Sequence, residues 1–226
     1  MNGELRVVDD VPTAFARLWV DEFQCRGSST FVFGLSGGGS ARRCYAKLAD
    51  CSAGHVDWRA VRLVWVDERC VPPDSPDSNE RLAREALIDR IVAIRTVHPM
   101  RCDTGVDSYE AILRQIGRID LAHLGLGADG HTASLFPQSP ALDAPHDRLV
   151  ALNHDPSGTN PFPRMTLTLA GLARSQLAVF TVEGDEKRQA FARVKADDPT
   201  VPAVHVRAER TIWLVDRLAA GESVRG

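Results

Sequence analysis

The stretch "FVFGLSGGGSARRCYAKLA", residues 31–49, decides the fold. Phe31, Val32, Phe33 and Leu35 form a run that is apolar on both faces, as a strand inside a parallel sheet requires. Three glycines then make a turn, and helical spacing of apolar residues begins near Ser40. Strand, glycine turn and helix in this order open a β-α-β unit.

The same residues spell GxSxG at Gly34, Ser36 and Gly38, the pattern of a serine-hydrolase nucleophile elbow. An elbow also needs a later acid and histidine, and several strands normally precede it, whereas this turn follows the first strong strand. The competing reading is an anion site. Successive glycines let backbone N–H groups approach a bound phosphate at the positive end of the following helix dipole. A third reading leaves the glycines a purely geometric role in a tight turn. Walker A is excluded, because no GK[ST] follows.

Outward from this unit, amphipathic stretches alternate with short apolar runs. "TAFARLWVDEFQ", "NERLAREALIDRI", "SYEAILRQI" and "DEKRQAFARVKA" have helical spacing, with Ser78 placed to cap the second. "VRLVWVDE", "IDLAHLGLG", "RLVALN", "RMTLTL", "QLAVFTV" and "TIWLVD" read as strands. The pattern predicts one α/β domain over 1–226: a Rossmann-like three-layer sandwich, with a mainly parallel sheet and helices on both faces.

Composition fits that class. The chain has 226 residues, 44% hydrophobic and 25% charged, with a formal net charge of −3. That balance argues against nucleic acid or an anionic membrane as partner, so any anion site must be local. The acidic start "MNGELRVVDD" lacks the features of a secretory signal, and no apolar run reaches membrane-spanning length, which predicts a cytoplasmic protein. Cys25, Cys44, Cys51, Cys70 and Cys102 form no CxxC pair. They read as buried small residues, with neither a structural metal nor a disulfide expected. The sequence does not fix the oligomeric state, and a monomer is compatible with it.

Ligands of such sheets bind beyond the carboxyl ends of the strands, where this chain carries its unusual loops. "GLGADG" matches GxGxxG at Gly125, Gly127 and Gly130, a weak dinucleotide signal. Its continuation into His131, with Asp129 two residues earlier, suits proton transfer better, because imidazole titrates near neutrality and a carboxylate can orient it. A solvated structural histidine is the alternative. His55, His98, His123, His146, His154 and His205 have less distinctive neighbours. Asp67, Glu68 and Arg69 end an apolar strand: Arg69 could fork onto a phosphate or carbonyl oxygen, and the acids could hold hydroxyls or Arg69 itself. A surface ion-pair cluster is the competing reading. Arg164 and Lys187 add cations at two further strand ends, each alone an ordinary surface charge.

Assembled, the sequence resembles the 6-phosphogluconolactonase family, within the wider glucosamine-6-phosphate isomerase/deaminase and lactonase superfamily. The matching pieces run almost end to end: "GLSGGGSARRCY", "VWVDERCVPPDSPDSN", "LGLGADGHTASLFPQSPAL", "PRMTLTL", "EGDEKRQAF" and "IWLVDRLAA". The resemblance implies hydrolysis of 6-phospho-D-glucono-1,5-lactone to 6-phospho-D-gluconate in the oxidative pentose phosphate pathway, with no metal or organic cofactor. Carried over by position, His131 is the catalytic base, supported by Asp129 and Arg69. Ser36, Gly37, Gly38, Gly39, Asp67, Asn79, Arg164 and Lys187 face a phosphorylated sugar lactone.

Many relatives read SGGSTP where this chain has Gly39 and Ala41, which shifts any phosphate contact there to the backbone. "LNHDPSGTNPFPRM", before and through Arg164, is also idiosyncratic. Two rival functions remain at this level. Deaminase relatives typically carry a glutamate five residues after the histidine, where this chain has Phe136. A non-catalytic sugar-phosphate binding protein would bind without turnover.

Overall fold

The computed structural model describes residues 1–27 and 30–222. In chain order the strands are β1 (Glu4–Val8), β2 (Phe31–Leu35), β3 (Val61–Trp65), β4 (Asp67–Arg69), β5 (Thr96–His98), β6 (Ile119–Gly125), β7 (Val150–Asn153), β8 (Arg164–Leu167), β9 (Ser175–Val182) and β10 (Arg210–Asp216). The α-helices are α1 (Val11–Gln24), α2 (Gly39–Cys51), α3 (Asn79–Ala86), α4 (Val106–Ile116), α5 (Leu169–Leu172), α6 (Arg188–Lys195) and α7 (Arg217–Ala220).

Every residue of β2 is buried, as its two-sided apolar run requires. It lies inside a seven-stranded sheet of order β1-β10-β9-β6-β2-β3-β5 whose pairings are all parallel. The chain runs from β2 to β3 on one side, whereas β6 returns to the other side of β2. The strand order therefore reverses between β2 and β6, and ligands bind at such a point in open α/β sheets.

Helices cover both faces. On one, Phe33 of β2 meets Phe15 of α1 and Tyr45 of α2, with ring centroids 6.3 and 5.9 Å apart. Trp19 stacks on Phe23 and Trp58 and meets Phe31 and Phe33 edge-on. Phe15, Trp19 and Phe33 have no solvent exposure, each burial contributing about 2–3 kcal/mol relative to exposure. On the other face Phe180 of β9 stacks on Trp213 of β10, which in turn meets Phe191 of α6. Phe180 and its neighbour Thr181 thus serve opposite sides of the sheet, as strand alternation dictates.

The sequence reading needs three corrections. First, "DER" does not extend β3. Val66 interrupts, and Asp67–Arg69 is β4 of a separate antiparallel sheet, β4-β8-β7, which also takes the two strands around Ala151 and Met165. Second, β1 and β5 lack a clear sequence signal, since one is a partly exposed edge that carries Glu4 and Arg6 and the other a half-buried edge of three residues. Third, Cys70 and Cys102 form a disulfide, with Cα atoms 5.4 Å apart. Their separation of 32 residues carries no local spacing signal; folding brings the end of β4 beside the turn Cys102–Thr104. Cys25 and Cys51 are exposed, so of the five only Cys44 is the buried free thiol expected.

Candidate active site

The carboxyl ends of β2, β6 and β9 and the β4–β8 pair enclose a cleft of about 330 Å³. Its lining includes Ser36, Gly37, Gly38, Gly39, Asp67, Arg69, Asn79, His131, Arg164 and Lys187. Asp129 stands behind His131. Every candidate residue from the sequence therefore lies on the cleft or directly supports a residue that does.

The glycine turn works through close approach. A Cβ on Gly37 would stand 1.7 Å from Asn79 Oδ1, so the turn packs against α3 only without a side chain there. Gly38 caps α2 at φ 93° with no side-chain cap bond, leaving the first N–H groups of the helix to the cleft. Gly39 carries no such steric demand, since its Cβ would meet only Arg43 Nη1 at 3.6 Å. The hydroxyl of Ser36 donates to Gly37 O at 3.4 Å and bonds no imidazole, which removes the elbow reading.

The second turn builds a dyad. Gly130 N donates to Gly127 O at 3.0 Å and Gly127 N to His131 O at 2.8 Å, closing the loop on itself. Asp129 Oδ1 accepts from the His131 backbone N–H at 3.1 Å and lies 2.6 Å from Nδ1. A Cβ on Gly127 would stand 2.1 Å from that Nδ1, so glycine is required for the dyad to close. Burial pushes the Asp129 carboxyl up, but the hydrogen bonds and charge of His131 outweigh it and hold it below the usual carboxylate range. His131 Nε2 makes no hydrogen bond within the described residues, and the ring lies 4.9 Å from the buried Phe136 ring. No helix follows this turn, so the dinucleotide reading of GxGxxG fails. Ala133, also on the cleft, is held at φ 47°, the left-handed region in which an alanine is strained.

The cations come from the small sheet. Arg69 and Arg164 are directly opposite in the antiparallel β4–β8 register, an arrangement that destabilises like charges unless an anion joins them. Neither makes an ion pair within 4.0 Å among the described residues. Arg69 Nη1 donates to Asp77 O at 2.7 Å. Arg164 is 5% exposed, and its Nε is buried without a partner. Burial and then the charge of Arg69 lower its affinity for its proton.

Asp67 faces the cleft, accepting from Ser134 Oγ at 2.7 Å and Asn79 Nδ2 at 3.3 Å. Glu68 turns away from it: its carboxylate accepts the N–H groups of Asn79 and Glu80, both at 2.7 Å, at the start of α3. Burial pushes that carboxyl up to about 7 against these bonds. Ser78 caps α3 as its sequence position predicts, accepting from Arg81 N.

The sequence reading missed Ser40, Arg43, Ser134, Asn160, Thr181, Glu183 and Glu186, which also line the cleft. Thr181 and Glu183 stand where β9 ends, a position the strand-end rule could have flagged. Asn160 had no such signal. It is fixed by Asp155, whose carboxylate accepts its backbone N–H and side-chain amide at 3.0 and 2.8 Å. Burial opposes ionisation of Asp155, yet these bonds and those from Ser157 hold its carboxyl at about 2.

A family model described as "Glucosamine-6-phosphate isomerases/6-phosphogluconolactonase" matches residues 7–213. The chain belongs to that family. A 6-phosphogluconolactonase of Synechocystis is 34% identical over 218 residues, covering 88% of this chain and 86% of the relative. One from Mycobacterium tuberculosis is 35% identical over 217 residues, covering 87% and 86%. The crystal structure of the Thermotoga maritima 6-phosphogluconolactonase superposes with a TM-score of 0.82 at 31% identity, covering 94% of this chain and 99% of that one. A monomeric glucosamine-6-phosphate deaminase has the same fold, with a TM-score of 0.82 at 16% identity. Fold alone therefore does not separate the two chemistries of the family. Among the described residues no helix is long and apolar enough to cross a membrane, and no cluster of side chains could hold a metal ion.

Proposed function

We propose that this protein hydrolyses 6-phospho-D-glucono-1,5-lactone to 6-phospho-D-gluconate. The observation that carries the reading is the His131–Asp129 pair, 2.6 Å apart, in a cleft where Arg69, Arg164 and Lys187 make no ion pair among the described residues. Relatives of this length and identity that carry the lactonase name support it.

With Nδ1 engaged by Asp129, His131 Nε2 is the base that takes a proton from water as its oxygen attacks the lactone carbonyl. The imidazolium then returns the proton to the departing ring oxygen, so one group serves both steps. Arg69 stabilises the tetrahedral oxyanion together with backbone N–H groups. Arg164, Lys187 and the open start of α2 bind the phosphate, whose remote binding energy fixes the carbonyl in place. Asp67 and Asn79 hold ring hydroxyls. No metal or organic cofactor takes part.

Phe136 argues against the deaminase reading. It is 1% exposed, lies against the His131 ring and has no group to move a proton. We assign the reaction to the cytoplasm, where phosphorylated sugars are retained by their charge, and to one α/β domain. The deciding experiment is a lactone hydrolysis assay on wild type, His131→Ala and Ser36→Ala. Turnover by wild type and Ser36→Ala is expected, with His131→Ala lowered at least about a hundredfold towards the spontaneous rate. Wild-type rates in His131→Ala would overturn the mechanism.

A further inference from the structure

The proposed reaction leaves one buried histidine unused. His123 lies in β6, between β2 and β9 in the sheet, and has no solvent exposure. An imidazole in an apolar layer costs stability unless both nitrogens are bonded. Both are. Nδ1 is 3.1 Å from Tyr45 Oη, and Nε2 is 2.9 Å from Thr181 Oγ1. The ring packs against Phe15 and Tyr45, with centroids 4.3 and 5.4 Å away, so its orientation is fixed.

Each partner leads to a different wall of the cleft. Tyr45 Oη accepts the N–H of Ser36 at 2.7 Å and lies 3.2 Å from Ser36 O, gripping both backbone groups of the first residue of the glycine turn. Thr181 lines the cleft, and Ser40 Oγ lies 3.2 Å from its hydroxyl. Ser40 also donates to Glu183, which Arg43 of α2 contacts at 2.9 Å. Glu183 begins the loop that carries Lys187. The polar chain runs Ser36, Tyr45, His123, Thr181, Ser40, Glu183, and it ties the glycine turn to the Lys187 loop through the middle of the sheet.

We propose that His123 is a positioning residue for the anion end of the cleft, holding the glycine turn and the Lys187 loop at the spacing a phosphate ester needs. The inference rests on the phosphorylated-substrate reading of the same cleft. Burial keeps the imidazole neutral, with its proton affinity lowered to about 3, so the tie does not titrate near neutrality. Because His123 acts through backbone and hydroxyl groups and touches no reacting atom, its loss affects phosphate binding and spares the chemical step.

The test uses the full chain with His123→Phe, which keeps the ring and removes both bonds, His123→Gln, which retains a donor and an acceptor, and Tyr45→Phe, which cuts the tie one step away. In His123→Phe, KM for the phosphorylated lactone should rise about tenfold, or about 1.4 kcal/mol, with kcat within twofold of wild type. Hydrolysis of unphosphorylated gluconolactone should be unchanged. His123→Gln should recover most of the loss, and Tyr45→Phe should raise KM in the same direction.

A merely structural role would lower rates on both lactones alike, and that result overturns the proposal, as does an unchanged KM in folded variants. Should His123→Phe fail to fold, Tyr45→Phe and His123→Gln carry the same comparison. Calorimetric binding of inorganic phosphate separates this idea from the lactonase assignment. If wild type binds phosphate but turns over no lactone, the functional reading fails while a tenfold weaker phosphate affinity in the variants still upholds the tie. Equal affinity in wild type and variants rejects it.

Discussion

His123 and His131 sit eight residues apart on one strand and the turn that follows it, yet their surroundings give them opposite tasks. His131 is half-buried at the cleft, with a carboxylate on Nδ1 and Nε2 unbonded among the described residues. His123 is sealed in the sheet, with a hydroxyl on each nitrogen and no charge near enough to keep it protonated. The difference teaches that the chemistry of an imidazole is decided by what occupies its second nitrogen. An unbonded nitrogen beside solvent can cycle a proton, whereas two fixed partners make a strut.

That contrast can be broken at its strongest point first. His131→Ala should lower kcat/KM about 10²- to 10⁴-fold, the usual contribution of a positioned acid–base group, read as lactone hydrolysis above the spontaneous rate. Asp129→Asn should cost about 30-fold, near 2 kcal/mol of transition-state stabilisation, mainly in kcat. The amide can still orient the ring but no longer stabilises the imidazolium formed during reaction. A loss in KM alone would show that Asp129 serves binding and would dissolve the dyad.

The buried histidine has its own signature in stability. Its folded proton affinity of about 3 lies below the ordinary 6.5, so between these values the unfolded chain binds a proton that the folded chain refuses. Stability from His123 is therefore present above pH 6.5 and declines as pH falls toward 3, by about 1.4 kcal/mol per pH unit. From pH 7 to pH 5 this amounts to about 2 kcal/mol. The gap between wild type and His123→Gln in denaturant unfolding should narrow by that amount over the same range. A constant gap would mean that the folded imidazole takes up a proton as readily as the unfolded one. The smallest expected effect belongs to Ser36→Ala, within about threefold of wild-type kcat/KM, since an elbow nucleophile would instead cost at least about 10³-fold.

The same pair shows what the sequence could reveal. His131 was legible because a glycine turn, an aspartate and a strand end are all local, and Arg69, Arg164 and Lys187 were legible as charges at strand ends. The β2–α2 unit was legible because two-sided burial leaves an unbroken apolar run. His123 was not, since its partners Tyr45 and Thr181 lie 78 and 58 residues away, and an imidazole in "DLAHLG" carries no local mark of a polar tie. The Cys70–Cys102 bond was hidden in the same way. The small antiparallel sheet escaped because β4 is three residues long and reads as the tail of β3. Its consequence for the site is large, since only the antiparallel register sets Arg69 against Arg164.

Those facing arginines bear on what happens after the bond is cut. On the proposed reaction a neutral ring ester becomes a carboxylate, so the product leaves with one more negative charge than the substrate brought. Arg69, which makes no ion pair among the described residues, meets the carbonyl oxygen and holds an acid there more firmly than a lactone. The cleft is therefore better matched to what it makes than to what it takes in. On that reading 6-phosphogluconate inhibits its own formation, and salt that screens Arg69 weakens the inhibition.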